Sequence, residues 1–186
     1  MSSVWSRIEP LLARVRKPAR YIGCEDGAVS PQHDRAKVAW LLAYPDVYEV
    51  GLPNQGLQIL YEILNERPDA VAERTYAPWV DLEALMRERD IPLFSVDTHR
   101  SADEFDVLAF NVSAELVYTN VLNMIDLAGV PVRAAERRPD DPVVIIGGHA
   151  AFNPEPMADF IDCAVLGEGE EVIDRKSTRL NSSHTD

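Results

Sequence analysis

Val143-Val-Ile-Ile-Gly-Gly-His-Ala-Ala-Phe-Asn-Pro-Glu-Pro156 decides how the chain reads. Its four consecutive β-branched residues predict a short strand buried on both faces, as in the middle of a parallel sheet. Gly147 and Gly148 follow at the carboxyl end of that strand. Open α/β sheets bind their ligands there, outside the strand ends. Without a Cβ, the two glycines admit φ > 0 and let a flat or bulky ligand approach the backbone. A second apolar run, Cys163-Ala-Val-Leu166, ends in Gly167-Glu-Gly-Glu170 and predicts a strand turning into a helix. Two adjacent strand ends carrying glycine-rich loops suit one shared ligand.

Working outward, residues 37–43 predict the first strand. Its exit, Tyr44-Pro-Asp-Val-Tyr-Glu-Val-Gly-Leu-Pro-Asn54, is long and rich in turn residues, as functional loops often are. A helix over 55–65 puts Leu57, Leu60, Ile63 and Leu64 inward. Residues 71–76 predict a second strand. Pro78 opens a helix with the stripe Leu82, Leu85, Met86, and 92–96 reads as an edge strand, where proline is tolerated. Residues 105–112 form the third core strand, with Asn111, Val112 and Ser113 at its carboxyl end. A helix over 114–128 follows, and Gly129 and Pro131 stop it. Residues 143–146 and 163–166 complete five strands.

Strands alternating with helices predict an α/β fold with a doubly wound parallel sheet. Five strands suggest the flavodoxin-like, Rossmann-like order 2-1-3-4-5, with the switch point between the first and third strands. Upstream, Val4, Trp5, Ile8, Leu11, Leu12 and Val15 share a helical face. Pro10 favours a helix start near Glu9. The expected organisation is an N-terminal extension (1–35), one α/β domain (36–174) and a tail (175–186). The tail is polar and aperiodic, resembles translated adapter sequence, and is read as non-native.

A formal charge of −13 argues against direct nucleic-acid binding through phosphates. It suits a soluble acidic surface. No apolar run approaches the roughly 18 residues of a membrane span, and the first twenty residues lack a signal-peptide apolar block. A cytoplasmic protein is expected. Cys24 and Cys163 are too few for a metal site or a disulfide framework, so no metal ligands are assigned. Cys163, within a strand, reads as a small buried hydrophobe.

Several segments together carry a family resemblance: Lys-Pro-Ala-Arg-Tyr-Ile-Gly (17–23), Ala-Tyr-Pro-Asp-Val-Tyr-Glu-Val-Gly (43–51), Tyr-Thr-Asn-Val-Leu-Asn-Met (118–124), Phe-Asn-Pro-Glu-Pro (152–156) and Gly-Glu-Gly-Glu (167–170). In this order they resemble the N-terminal part of B12-binding radical SAM proteins, over residues 11–174. The resemblance implies a cobalamin-binding-type module of a radical SAM enzyme, truncated before the barrel that holds the [4Fe–4S] cluster and S-adenosylmethionine. That downstream barrel is the expected partner, and no catalytic residue is assigned to this chain. The alternative is a non-catalytic Rossmann-like docking module that has lost cobalamin binding. A nucleotide- or flavin-binding domain is disfavoured, because no Gly-x-Gly-x-x-Gly follows the first strand.

The cobalamin-binding fold, by the same resemblance, takes the nucleotide tail down between the strands and seats the corrin ring over their ends. Gly147, Gly148 and Ser113 map onto its glycine pair and serine, and Gly167, Glu168, Gly169 and Glu170 onto its acidic glycine loop. Read locally, Ser113 could instead cap the next helix, and Glu168 and Glu170 could be solvated carboxylates at a helix N-terminus. His149 stands where it could reach a ligand; Glu115 and Tyr118 are further candidates. Tyr44, Tyr48 and Trp79 read as packing residues. One departure is plain. Base-off cobalamin proteins carry Asp-x-His-x-x-Gly after the first strand, whose His ligates cobalt, and the loop at 44–51 has no His. Asp97-Thr-His99 mimics the motif in the wrong place. Cobalamin would therefore bind without a histidine axial ligand from the first loop.

Overall fold

The structure is a computed structural model that describes residues 3–25, 27–29 and 33–170. Its centre is a parallel five-stranded sheet in the order β2-β1-β3-β4-β5. The strands are β1 (Val38–Tyr44), β2 (Ala70–Tyr76), β3 (Val107–Asn111), β4 (Val143–Gly147) and β5 (Cys163–Ala164). Every pairing is parallel, so the predicted order and switch point hold. The helices are α1 (Trp5–Ile8), α2 (Tyr48–Gly51), α3 (Gln55–Glu66), α4 (Val80–Glu88) and α5 (Tyr118–Leu127).

Period-two alternation sorts each strand onto two faces. One face carries Leu41, Ala43, Leu108, Phe110, Val144 and Ile146, and packs on Val121, Met124 and Ile125 of α5 and on Met157 and Ile161. The other carries Val38, Trp40, Leu42, Val107 and Ile145, and packs on Leu57, Tyr61 and Leu64 of α3. The register lines up Leu42, Ala109, Ile145 and Cys163 across β1, β3, β4 and β5. A third cluster joins Val4, Ile8 and Leu11 of the N-terminal segment to Leu82, Leu85 and Met86 of α4 and to Ile91 and Phe94.

Five local expectations change. The N-terminal helix begins at Trp5, not near Glu9; at Pro10 the coil tightens to a 3₁₀ helix over Glu9–Arg14, as a ring without an N–H disfavours α-helix continuation. Residues 92–96 make no strand, only one antiparallel bridge between Phe94 and Ser101. The helix after β3 opens as a 3₁₀ turn, Glu115–Val117, before α5. Val143 is 41% exposed, so the buried part of β4 starts at Val144. β5 is a two-residue edge strand and Cys163 is half-buried there. The backbone is helical at Gly169 and Glu170; the tail at 175–186 and the helix's course past Glu170 lie outside the described residues.

Candidate functional site

On the second face of the sheet, α3 covers β1 and β2 and leaves β3–β5 less covered. A cavity of about 270 Å³ fills the difference. Its walls are Trp40 and Leu42 of β1, Ala109 of β3, Ile145 of β4, Val165 after β5, and Gly56, Leu57 and Leu60 of α3. Its rim at the carboxyl ends of the strands is Asn111, Gly147, Gly148 and residues 167–170. The space lies between sheet and helix rather than between strands, since hydrogen-bonded neighbours leave no gap. Small residues make it: Gly56 and Ala109 stand where larger side chains would fill the layer.

The rim is built by backbone and amide contacts. The Asn54 side chain caps α3, its Oδ1 accepting from the Leu57 N–H at 2.9 Å. The same oxygen accepts from Asn111 Nδ2 at 3.1 Å. This bond ties the loop after β1 to the end of β3, the two elements that diverge at the switch point. Gly148 has φ +91°, and a Cβ there would sit 2.8 Å from both Asn111 Oδ1 and the Val112 carbonyl oxygen; only glycine fits. A Cβ on Gly147 would meet nothing closer than Val165 at 3.9 Å. The Val112 N–H donates to the Gly147 carbonyl at 2.7 Å, and the Ala150 N–H to the Val112 carbonyl at 3.0 Å, locking the loops after β3 and β4 together.

Six sequence candidates therefore share the rim: Gly147, Gly148, Gly167, Glu168, Gly169 and Glu170. Two stand apart from its lining. Ser113 is exposed, its hydroxyl 3.2 Å from the Tyr44 hydroxyl; it caps nothing, as Ala114 holds the N-cap position of the next turn. His149 is exposed and lies edge-on to Phe152. Tyr118 donates its hydroxyl to the loop carbonyls of Ala150 and Asn153, and Glu115 is exposed. Asp97 and His99 are structural: Asp97 pairs with Arg74, and the His99 ring bonds the Tyr21 carbonyl. The residues that sequence reasoning passes over, Trp40, Ala109 and Gly56, read as ordinary core or helix positions.

Among the described residues no group of three or more His, Cys, Asp and Glu side chains is placed to hold a metal ion. None of their helices is long and apolar enough to cross a membrane. A family described as "Radical SAM proteins, N-terminal" matches residues 56–186. The chain belongs to this family. It corresponds to the B12-binding-type N-terminal module of radical SAM proteins, and its parallel sheet has the matching Rossmann-like, flavodoxin-like form. No curated protein sequence matches it. In this radical SAM N-terminal domain the matched span holds α3, β3, β4 and the 167–170 loop, and so most of the cavity's walls.

Proposed function

We propose that this domain binds cobalamin for a downstream radical SAM barrel, taking the corrinoid's nucleotide tail into the cavity between α3 and β3–β5. The observation that carries the reading is the cavity itself: apolar, open at the strand ends, and collared by glycines that leave backbone exposed. Residues Leu42, Ala109, Ile145, Leu57 and Leu60 would hold the apolar base of the tail. Gly147 and Gly148 would let the ring lie close over the strand ends, with Glu168 and Glu170 in reach of its polar side arms. No histidine lines the cavity, so the chain offers cobalt no axial ligand from it.

When bound, the corrinoid would supply a cobalt centre for group or electron transfer. This chain's own residues bind, orient and shield it. The [4Fe–4S] cluster and S-adenosylmethionine belong, in this reading, to the barrel. Two cysteines, Cys24 and Cys163, that form no disulfide with each other suit a reducing, cytoplasmic setting.

The test is incubation of the purified chain with hydroxocobalamin, desalting, and a visible spectrum. About one corrinoid per chain should be retained. Colourless protein would sink the proposal and favour the docking module. One observation keeps that alternative in view: Leu116 and Phe152, on the loops after β3 and β4, are 91% and 65% exposed. An apolar rim of this kind suits contact with another domain.

A further inference from the structure

The side-chain amide of Asn111 is oriented by hydrogen bonds that begin in α3. Asn54 Oδ1 accepts from the Leu57 N–H as the helix cap, at 2.9 Å, so the atom it presents to β3 is an oxygen. Asn111 must therefore offer it the amide nitrogen, and does so at 3.1 Å. That leaves Asn111 Oδ1 on the Gly148 side, where a Cβ would stand 2.8 Å from it. Among the described residues no group donates to this oxygen, and it keeps solvent-accessible surface at the cavity rim. The other polar side chains of the rim are Glu168 and Glu170, and no Lys or Arg joins them. The backbone turns helical at Gly169, and a helix N-terminus favours negative charge, which these two carboxylates already supply. By its side chains the rim is a collar of acceptors, two of them anionic.

We infer that this rim selects a corrinoid whose side arms are carboxamides, with Asn111 Oδ1 accepting an N–H from one arm. The inference rests on the proposed cobalamin reading and deepens it, and it concerns the edge of the ring rather than the nucleotide tail. A primary amide brings the donor that Asn111 Oδ1 lacks and carries no charge to Glu168 and Glu170. A carboxylate in its place has no hydrogen to give. It would set oxygen against Asn111 Oδ1 and a third negative charge beside the two glutamates, with no cation at the rim to offset it. Asn54 is a positioning residue. By fixing which end of the Asn111 amide faces the ring, it makes the site read a donor rather than an acceptor.

The probes are hydroxocobalamin and its tricarboxylic acid, made by hydrolysing the peripheral propionamide arms and leaving tail and cobalt as they were. Equilibrium dialysis, read by corrinoid absorbance, gives a Kd for each. The acid should bind at least about tenfold more weakly, since it loses a hydrogen bond and meets like charge. Salt at about 1 M, which shortens the screening length to about 3 Å, should narrow the gap without closing it. Glu168→Gln combined with Glu170→Gln should narrow it at low salt. Asn54→Ser keeps a cap on α3 but withdraws the partner that orients Asn111. It should weaken hydroxocobalamin binding by up to about tenfold and reduce the preference, at an unchanged Tm. Asn54→Asp, whose carboxylate still accepts from both Leu57 and Asn111, should restore the preference. Asn111→Leu should behave as Asn54→Ser does. If a variant misfolds, the two titrations of the unaltered chain still decide. Equal binding of the two probes overturns the inference and leaves the cobalamin reading standing. Retention of neither overturns both. A preference that survives Asn54→Ser and Asn111→Leu overturns the role given to Asn111 and Asn54.

Discussion

Arg74 and Asp97 are charged side chains buried to 2% and 1% exposure. Arg74 Nη2 donates to Asp97 Oδ1 at 2.6 Å, and the Arg74 backbone N–H to Asp97 Oδ2 at 2.7 Å. The guanidinium also lies 4.3 Å over the Tyr61 ring. Burial works against the charge on Arg74, but Asp97 outweighs it and raises the guanidinium's pKa. Removing one partner of such a pair strands the other, so Asp97→Ala should cost about 3–5 kcal/mol in urea unfolding. An apolar replacement of both residues should recover much of that loss. Glu49 shows the weaker, solvated case. Hydrogen bonds from Lys17 and Arg20 hold its carboxyl down, from 4.5 to about 2. A lowered folded pKa contributes stability above the unfolded value and loses it as pH falls through the folded one. Glu49 is 38% exposed, so solvent screening keeps the gain under about 1 kcal/mol. The stability gap between the unaltered chain and Glu49→Gln should therefore be small at pH 7 and close as pH drops from 4.5 towards 2.

At the scale of elements, the sheet was legible because a strand buried on both faces writes itself as an apolar run. Trp40-Leu-Leu-Ala43 and Val144-Ile-Ile146 are such runs, and both lie in central strands. β2 is different: an edge strand, yet buried along its whole length, with Glu73 and Arg74 inside it. Its cover comes from the 93–98 segment, where the Val96 N–H donates to the Arg74 carbonyl. That long-range pairing has no local signature, and residues 92–96 read as a strand for want of it. The candidate site divides in the same way. Glycines announce the rim, because Gly148 and Gly167 turn it at φ +91° and +98°, whereas Ala109 and Trp40 match the core pattern and show their place in the cavity wall only when α3 is placed. Ala109 gives a prediction at this scale. It sits between Leu42 and Ile145 in the row that walls the cavity, so Ala109→Leu should fill the space. Filling a void usually keeps or raises stability, so the melting temperature should hold or rise while hydroxocobalamin retention is lost. Loss of both would show the cavity to be core that tolerates no change.

For the molecule as a whole, cofactor capture and radical chemistry should be separable. A [4Fe–4S] cluster that leaves one iron for S-adenosylmethionine needs three thiolates. The sequence holds two cysteines. Cys24 is exposed, with φ +74°, in the N-terminal segment, and Cys163 lies half-buried in β5 at the far edge of the sheet. Cys163 packs against the same face as Trp40 and Ile145, and ligating iron there would mean breaking into that core. Neither thiol has a His, Asp or Glu group around it placed to complete a metal site among the described residues. The chain should therefore retain hydroxocobalamin aerobically, with no iron added. Anaerobic reconstitution with iron and sulfide, followed by S-adenosylmethionine and dithionite, should yield no 5′-deoxyadenosine, whether or not the corrinoid is present. A chain extended through a barrel with Cys-x-x-x-Cys-x-x-Cys should yield it under the same conditions. Stoichiometric 5′-deoxyadenosine from the 186-residue chain alone would place a cluster within this sheet domain and overturn this division of labour.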